Sequence, residues 1–318
     1  SCVMAKRIDE LDFLKCIFIL LMITFHLAYI GDTYPYLKQV VYTFHIPAFF
    51  IISGYVMHID KPFSAFLRSV LWLIVPYIIM ESGYVIMASV LPIREHINNL
   101  TFDVFINKLF VKPIGPYWYL HSLVICSIVY YLSFLGFKKQ RNITSRIVVS
   151  SIVLGFLSVY CELISLSSVF YFFIGVSVKQ SSVDFLSFFK SSWMAVIGFV
   201  ILTVNPNNLD RFTIGGVLIT YLSICSLLAI YKVLPHFISS FFNYIGRHTL
   251  VLLLFSPLFT ILVKPLAGIL SFDSSGLLFI SLALIVTVCG CLLIGALTDY
   301  LGISRFIFGK ERIIEPIK

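Results

Sequence analysis

The chain has 318 residues, 59% of them hydrophobic and only 12% charged, with a mean hydropathy of +1.00. Water-soluble domains carry about 25% charged residues, so this composition excludes an ordinary soluble enzyme and describes a polytopic membrane protein. The formal charge of +8 does not point to nucleic acid, because the basic residues are spread over short loops rather than gathered in a patch.

Ten apolar segments follow in chain order, at 13–31, 40–58, 69–91, 117–135, 146–161, 163–178, 191–205, 213–231, 249–270 and 277–298. They predict an all-α protein of about ten transmembrane helices, forming a single integral domain over 1–318. Short flanks remain, an N-terminus at 1–12 and a basic tail at 299–318. The first run keeps charges and lacks a small-residue cleavage site, so it reads as a retained helix rather than a signal peptide. Ser1 in place of an initiator methionine suggests either processing or residues added ahead of a native start at Met4. An even number of crossings puts both ends on one side. That side then holds 17 of the 23 lysines and arginines, and the other side 6, which predicts N-in, C-in topology. The longest outer segment, 92–116, contains Pro92, Pro113 and Pro116.

Polar groups inside apolar runs carry the functional signal, because each costs several kcal/mol in hydrocarbon unless it is paired or used. In the first segment Lys15 and His26 are eleven residues apart. At about 100° per residue they share one helix face, and at about 1.5 Å per residue they stand roughly 16 Å apart. Asp12, one turn before Lys15, is placed to pair with it. In the second segment His45 lies at a depth similar to that of His26 if the two helices are antiparallel neighbours. Glu81 sits inside the third segment, where a carboxylate is expensive. Trp118 and Tyr119, with His121, open the fourth segment at an outer interface, as an aromatic belt or as a surface for a sugar ring. His58, His96, His236 and His248 fall in loops or segment ends and read as solvated. The seven cysteines form neither a disulfide framework nor a zinc pattern; Cys289 and Cys291 lack a common zinc spacing, and no metal is expected.

These residues, taken in order, resemble the acyltransferase-3 family of integral-membrane enzymes. The likeness starts at Arg7-Ile8-Asp9-Glu10-Leu11-Asp12-Phe13-Leu14-Lys15 and runs through ten residues to His26. It continues in His45-Ile46-Pro47 followed by Phe49-Phe50-Ile51-Ile52-Ser53-Gly54-Tyr55, then Pro76-Tyr77 and Trp118-Tyr119-Leu120. Phe172-Phe173-Ile174-Gly175, and Ile245-Gly246 followed by Thr249, complete it. Two departures stand out. Arg68 lacks the second arginine that the family often carries before Pro-Tyr, Trp72 and Val75 occupying that stretch, and Phe255-Ser256-Pro257 replaces a late histidine-proline pair.

The resemblance implies an O-acyltransferase of a bacterial inner (plasma) membrane, taking acetyl-CoA or another acyl-CoA from the cytoplasm. The acceptor it implies is a hydroxyl of an extracytoplasmic or lipid-linked glycan. Lys15, Arg68 and Arg7 would then face the CoA phosphates. His26, with His45 and Glu81, would serve the transfer as base or as acyl relay, and Trp118, Tyr119 and His121 would serve the acceptor. The other classes compatible with the residues are a secondary transporter or channel with His26, His45 and Glu81 as a proton relay, and a noncatalytic envelope scaffold. No matching halves of the kind common in transporters are present.

Overall fold

The computed structural model describes residues 7–93, 95–135 and 143–316. Of the cations that set the expected topology, Lys6, Arg94, Lys138, Lys139, Arg141 and Lys318 lie outside these residues. Among the described residues every regular element is helical. The first half contains α1 (Asp9–His26), α2 (Ile30–Thr33), α3 (Pro35–Val56) and α4 (Phe63–Val90). There follow α5 (Phe102–Phe110), α6 (Trp118–Leu135), α7 (Ile143–Val159) and α8 (Leu166–Gln180). The second half contains α9 (Phe185–Phe188), α10 (Trp193–Val204), α11 (Ile214–Val233) and α12 (His236–Arg247). The chain closes with α13 (Thr249–Leu262), α14 (Lys264–Ile269), α15 (Leu277–Tyr300) and α16 (Ser304–Ile307).

Five helices, namely α3, α4, α6 with the turn before it, α11 and α15, are long and apolar enough to cross a membrane. The number rises to six if α12 and α13, bent by 79° at His248, make one crossing. Three expectations change. The first helix ends at His26 rather than at 31, and Tyr29 takes a left-handed conformation (φ 51°) before α2. Residues 236–247, read as an inner loop because Ser239, Asn243 and Arg247 interrupt the apolar run, form α12. The segment 249–270 divides at Val263 into α13 and α14. The proline-bearing segment 92–116 also contains a helix, α5, whose first turn is capped by the Thr101 hydroxyl accepting the Val104 N–H.

The helices form two compact units. The first comprises residues 1–49, 184–296 and 314–318. Here Phe18 meets Phe44 and Phe49 edge-on, and Phe44 meets Phe199, which joins α1, α3 and α10. Beyond the end of α1, Leu27 and Ile30 are buried with Val263 and Phe279. Tyr29 stacks on Phe279 (centroids 5.4 Å apart), and the Tyr34 hydroxyl donates to the Ser275 carbonyl. The first helix therefore breaks against a fixed surface. Asp273 holds that surface by capping the start of α15, accepting from the Ser275 and Leu278 N–H groups. The Ser275 hydroxyl also donates to Oδ1, and this bond is the chief reason the carboxyl is held below the usual range.

The second unit comprises residues 50–183 and 297–313. Its tightest crossing joins the last turns of α3 to α8. A Cβ on Gly54 would stand 2.1 Å from the Phe172 carbonyl oxygen, and one on Gly175 would stand 1.9 Å from that of Ile51. Ser53-Gly54-Tyr55 and Phe172-Phe173-Ile174-Gly175 are thus two halves of one backbone-to-backbone contact, of the small-residue kind that membrane helices use. On α4, Tyr77 and Glu81 hold the segment 92–116: the Tyr77 hydroxyl donates to the Leu109 carbonyl and Glu81 Oε1 accepts the Ile114 N–H (2.7 Å each). Trp72 meets Gly309, which has a φ of +66°. The indole that stands in the stretch where the family often carries a second arginine is therefore used in packing the chain's last turns.

Gly54→Ala and Gly175→Ala should each lower stability by about 1–3 kcal/mol, the usual cost of overpacking a tight contact. Gly155→Ala on α7, where an added methyl meets open space, should leave it unchanged or slightly raised. Thermal unfolding of the three variants in detergent checks this; equal midpoints would contradict it.

Candidate active site

Helix α1 carries two of the candidate residues, Lys15 and His26. At its first turn Asp12 is buried, its side chain 3% exposed, and a carboxylate there requires cations. Arg7 Nε donates to Asp12 Oδ2 (2.6 Å), Lys15 Nζ lies 2.7 Å from Oδ1, and Arg247 Nε lies 3.7 Å from Oδ2. The expected Asp12–Lys15 pair is formed, and two arginines join it. Lys15 keeps 29% of its side chain exposed, so the cation is both held and reachable.

The neighbouring helix explains why Asp12 is buried. A Cβ on Gly246 would sit 1.7 Å from the Asp12 carbonyl oxygen, so only glycine lets α12 lie directly on α1. Arg247 follows at once and reaches the carboxylate. The Thr249 hydroxyl donates to the Gly246 carbonyl where α12 turns into α13. The Ile245-Gly246…Thr249 pattern is thus the seat of the cation cluster. The C-terminal segment closes it: Glu315 pairs with Arg7 (3.0 Å) and Arg247 (3.5 Å), and the Tyr244 hydroxyl donates to its carbonyl. Its N–H donates to His248 Nε2 (3.0 Å), while His248 Nδ1 donates to the Tyr244 carbonyl. His248, expected in solvent, is 2% exposed. It is a satisfied structural histidine. His58, His96 and His236 are exposed as expected.

His26 is the last residue of α1, exposed where the helix ends. Because α1 is unbroken from Asp9, Lys15 and His26 share its face, about 16 Å apart. His26 Nδ1 lies 2.7 Å from the Met22 carbonyl, so this nitrogen carries a proton and the neutral ring is basic at Nε2. His45, 3% exposed, has the same arrangement on α3, with Nδ1 donating to the Val41 carbonyl (2.7 Å). His26 and Arg211 both lie near enough to act on the His45 ring electrostatically. His26 therefore lies in the electrostatic neighbourhood of His45, as does Arg211 from the loop before α11. Tyr42 completes this group, its ring 5.2 Å from that of His45 and edge-on to Phe25 (6.4 Å).

The remaining sequence candidates belong to the second unit. Arg68 is exposed on α4. Glu81 is fully buried, and its Oε2 has no hydrogen-bond partner. His121 Nε2 donates to the Phe110 carbonyl (2.8 Å), and Tyr119 is buried with its hydroxyl 2.7 Å from that of Ser53. Trp118 is half-buried, 6.4 Å from the Phe50 ring. Tyr119 and His121 are engaged in packing rather than standing at an interface. Among the described residues no group of three or more His, Cys, Asp or Glu could hold a metal ion.

Residues 8–296 match the model of the acyltransferase-3 family, described as an acyltransferase domain. The chain belongs to this family. It is therefore a membrane acyltransferase in the broad sense, with both ends of α1 and the Gly246 contact inside the matched region. No curated sequence and no solved structure matches it. The residues that sequence reasoning missed are Arg211, Arg247 and Glu315. Only Arg247 had a nearby signal, its place beside Gly246 in the family pattern.

Asp12→Asn leaves Arg7, Lys15 and Arg247 without their shared counter-charge and should cost on the order of 2 kcal/mol. Arg7→Gln removes a half-exposed partner and should cost below about 1 kcal/mol. Denaturant unfolding in mixed micelles measures the difference. A larger effect for Arg7→Gln would contradict the assignment of Asp12 as the centre of the cluster.

Proposed function

We propose that the chain is an O-acyltransferase that moves an acyl group, acetyl in the simplest case, from cytoplasmic acyl-CoA to a hydroxyl of an extracytoplasmic or lipid-linked glycan. On this reading it crosses a bacterial inner membrane ten times with both termini inside. Helices α1, α7, α8 and α10 and the bent α12–α13 pair join the five long spans. Exposed apolar side chains such as Ile152, Ile201 and Leu293 would face lipid.

The observation that carries the proposal is the polarity of α1, with held cations at its first turns and an oriented imidazole at its last. Lys15, assisted by Arg7, would receive the CoA phosphates, lysine as a point charge and arginine as a planar fork. The pantetheine arm would then run along α1 and bring the thioester to His26. There His26 Nε2 accepts the proton of the acceptor hydroxyl as its oxygen attacks the thioester carbonyl. The tetrahedral intermediate collapses with cleavage of the C–S bond, and the imidazolium proton passes to the departing thiolate. The ester and free CoA are the products. A covalent acyl-imidazole relay uses the same nitrogen, but the Nδ1–Met22 hydrogen bond, which fixes tautomer and orientation, suits a base. His45 supports His26 from α3, and Glu81 would act by holding the outer segment in place. The family membership favours this transferase chemistry over a proton-coupled carrier.

His26→Ala should reduce acyl transfer by at least about 10²–10³-fold, the range for losing a general base, with the thermal midpoint little changed. Normal turnover in the purified variant would contradict the role. Lys15→Ala should raise the Kd for CoA by about tenfold, the loss of one charge-assisted contact, and leave acceptor KM unchanged. Equal CoA affinity by calorimetry would remove Lys15 from the donor site.

A further inference from the structure

A polar cavity opens beside Tyr42, whose ring packs against His45, wholly within the first unit. It has a volume of about 570 Å³ and lies between residues 31–43 and the loop 209–211, inside the roughly 300–1,000 Å³ typical of small-molecule sites. Its walls carry Asp32, Lys38, Gln39, Tyr42, Asp210 and Arg211. Tyr42 also packs against the His45 ring and edge-on to Phe25, the neighbour of His26, so the cavity adjoins the group where transfer is placed.

The walls are built rather than incidental. The 205–213 loop is pinned at several points: Asn208 donates to the Leu202 carbonyl, the Thr213 hydroxyl donates to the Asp210 carbonyl, and Asp210 Oδ1 accepts the Phe212 N–H. Gly215 and Gly216 allow this, since a Cβ on either would stand 2.2 Å or less from Asn208 or Asp210. Across the cavity the Tyr36 hydroxyl donates to the Thr203 carbonyl, which ties α3 to α10. Lys38 folds along Gly31, with Nζ 5.5 Å from the centre of the Tyr42 ring.

The chemistry of the lining is balanced. Two carboxylates offset two cations, so an anion such as phosphate gains no net attraction there. Carboxylate acceptors, guanidinium and ammonium donors, an amide and one aromatic face together suit a ring bearing several hydroxyls. We infer that this cavity is the acceptor subsite, taking an uncharged saccharide whose hydroxyls pair with Asp32, Gln39, Asp210 and Arg211 while one ring face lies on Tyr42. The inference rests on the acyltransferase reading above and gives its acceptor a place and a charge class.

The test uses the full chain in detergent micelles with acetyl-CoA and four acceptors, the p-nitrophenyl β-glucoside, β-galactoside, N-acetyl-β-glucosaminide and β-glucuronide. Product is read by mass spectrometry. At least one neutral glycoside should be acetylated in preference to the glucuronide. Asp210→Asn, which keeps an oxygen for the Phe212 turn, and Gln39→Ala should each raise that acceptor's KM by about tenfold while acetyl-CoA KM stays within about twofold. Unchanged acceptor KM in both variants, a parallel rise in donor KM, or preference for the glucuronide would overturn the subsite. Failure of all four acceptors on a wild-type protein that CoA stabilises against heat would overturn the saccharide assignment and leave the acyltransferase standing. Absence of both CoA stabilisation and transfer would overturn the proposed function, and the subsite with it.

Discussion

The burial of one carboxylate, Asp12, constrains everything around the first helix. Stripping water from a carboxylate costs several kcal/mol unless cations replace it, and Arg7 and Lys15 from the N-terminal stretch and Arg247 from α12 do so. That arrangement requires α12 to lie on α1 with no side chain between them, which Gly246 alone permits. It also requires compensation of the added positive charge, which Glu315 provides from the C-terminal segment. The charged end of α1 is fixed by these contacts, and an unbroken helix carries that fixity to His26. The break after His26, held by Tyr29 on Phe279, then exposes the imidazole at the helix end.

The family's landmarks divide by physical cause. Gly54 with Gly175, and Gly246 with Asp12, are places where two backbones meet at distances that no Cβ tolerates. Pro76-Tyr77 leads into the α4 face that fixes the segment 92–116 through Leu109 and Ile114. Lys15, His26 and His45 are different, because their polar atoms stand in or beside an apolar bundle and are oriented by backbone carbonyls or by Asp12. The first kind keeps the helices in register. On the proposed reading, the second kind presents chemistry at the places that this register creates.

What the sequence made legible follows the same division. The Lys15–His26 spacing was readable because helical periodicity is local and because polar groups in hydrocarbon are expensive. The Asp12–Lys15 pair, three residues apart, was readable for the same reason. Arg211, Arg247 and Glu315 were not, since each reaches the site from a distant segment and resembles an ordinary loop cation or tail acid. His248 was misread as solvated because it sits between two helices in sequence, while in space Tyr244 and Glu315 occupy both of its nitrogens. Helix α12 was missed because its serines, asparagine and arginine broke the apolar run, although one face packs on α1. The early end of α1 has no proline or glycine to announce it; only the packing of Leu27, Tyr29 and Ile30 against Val263 and α15 does so.

The central claim is that α1 guides a thioester from the cations at its first turns to the imidazole at its last. The most direct measurement is photolabelling with a CoA thioester bearing a diazirine at the acyl end, mapped by peptide mass spectrometry. Adducts on the last turn of α1, Met22 to Leu27, and on the facing Tyr42–His45 turn of α3 are expected, and excess acetyl-CoA should suppress them. Competed adducts that instead lie on the exposed faces of α7 or α10, with α1 unlabelled, would contradict the account.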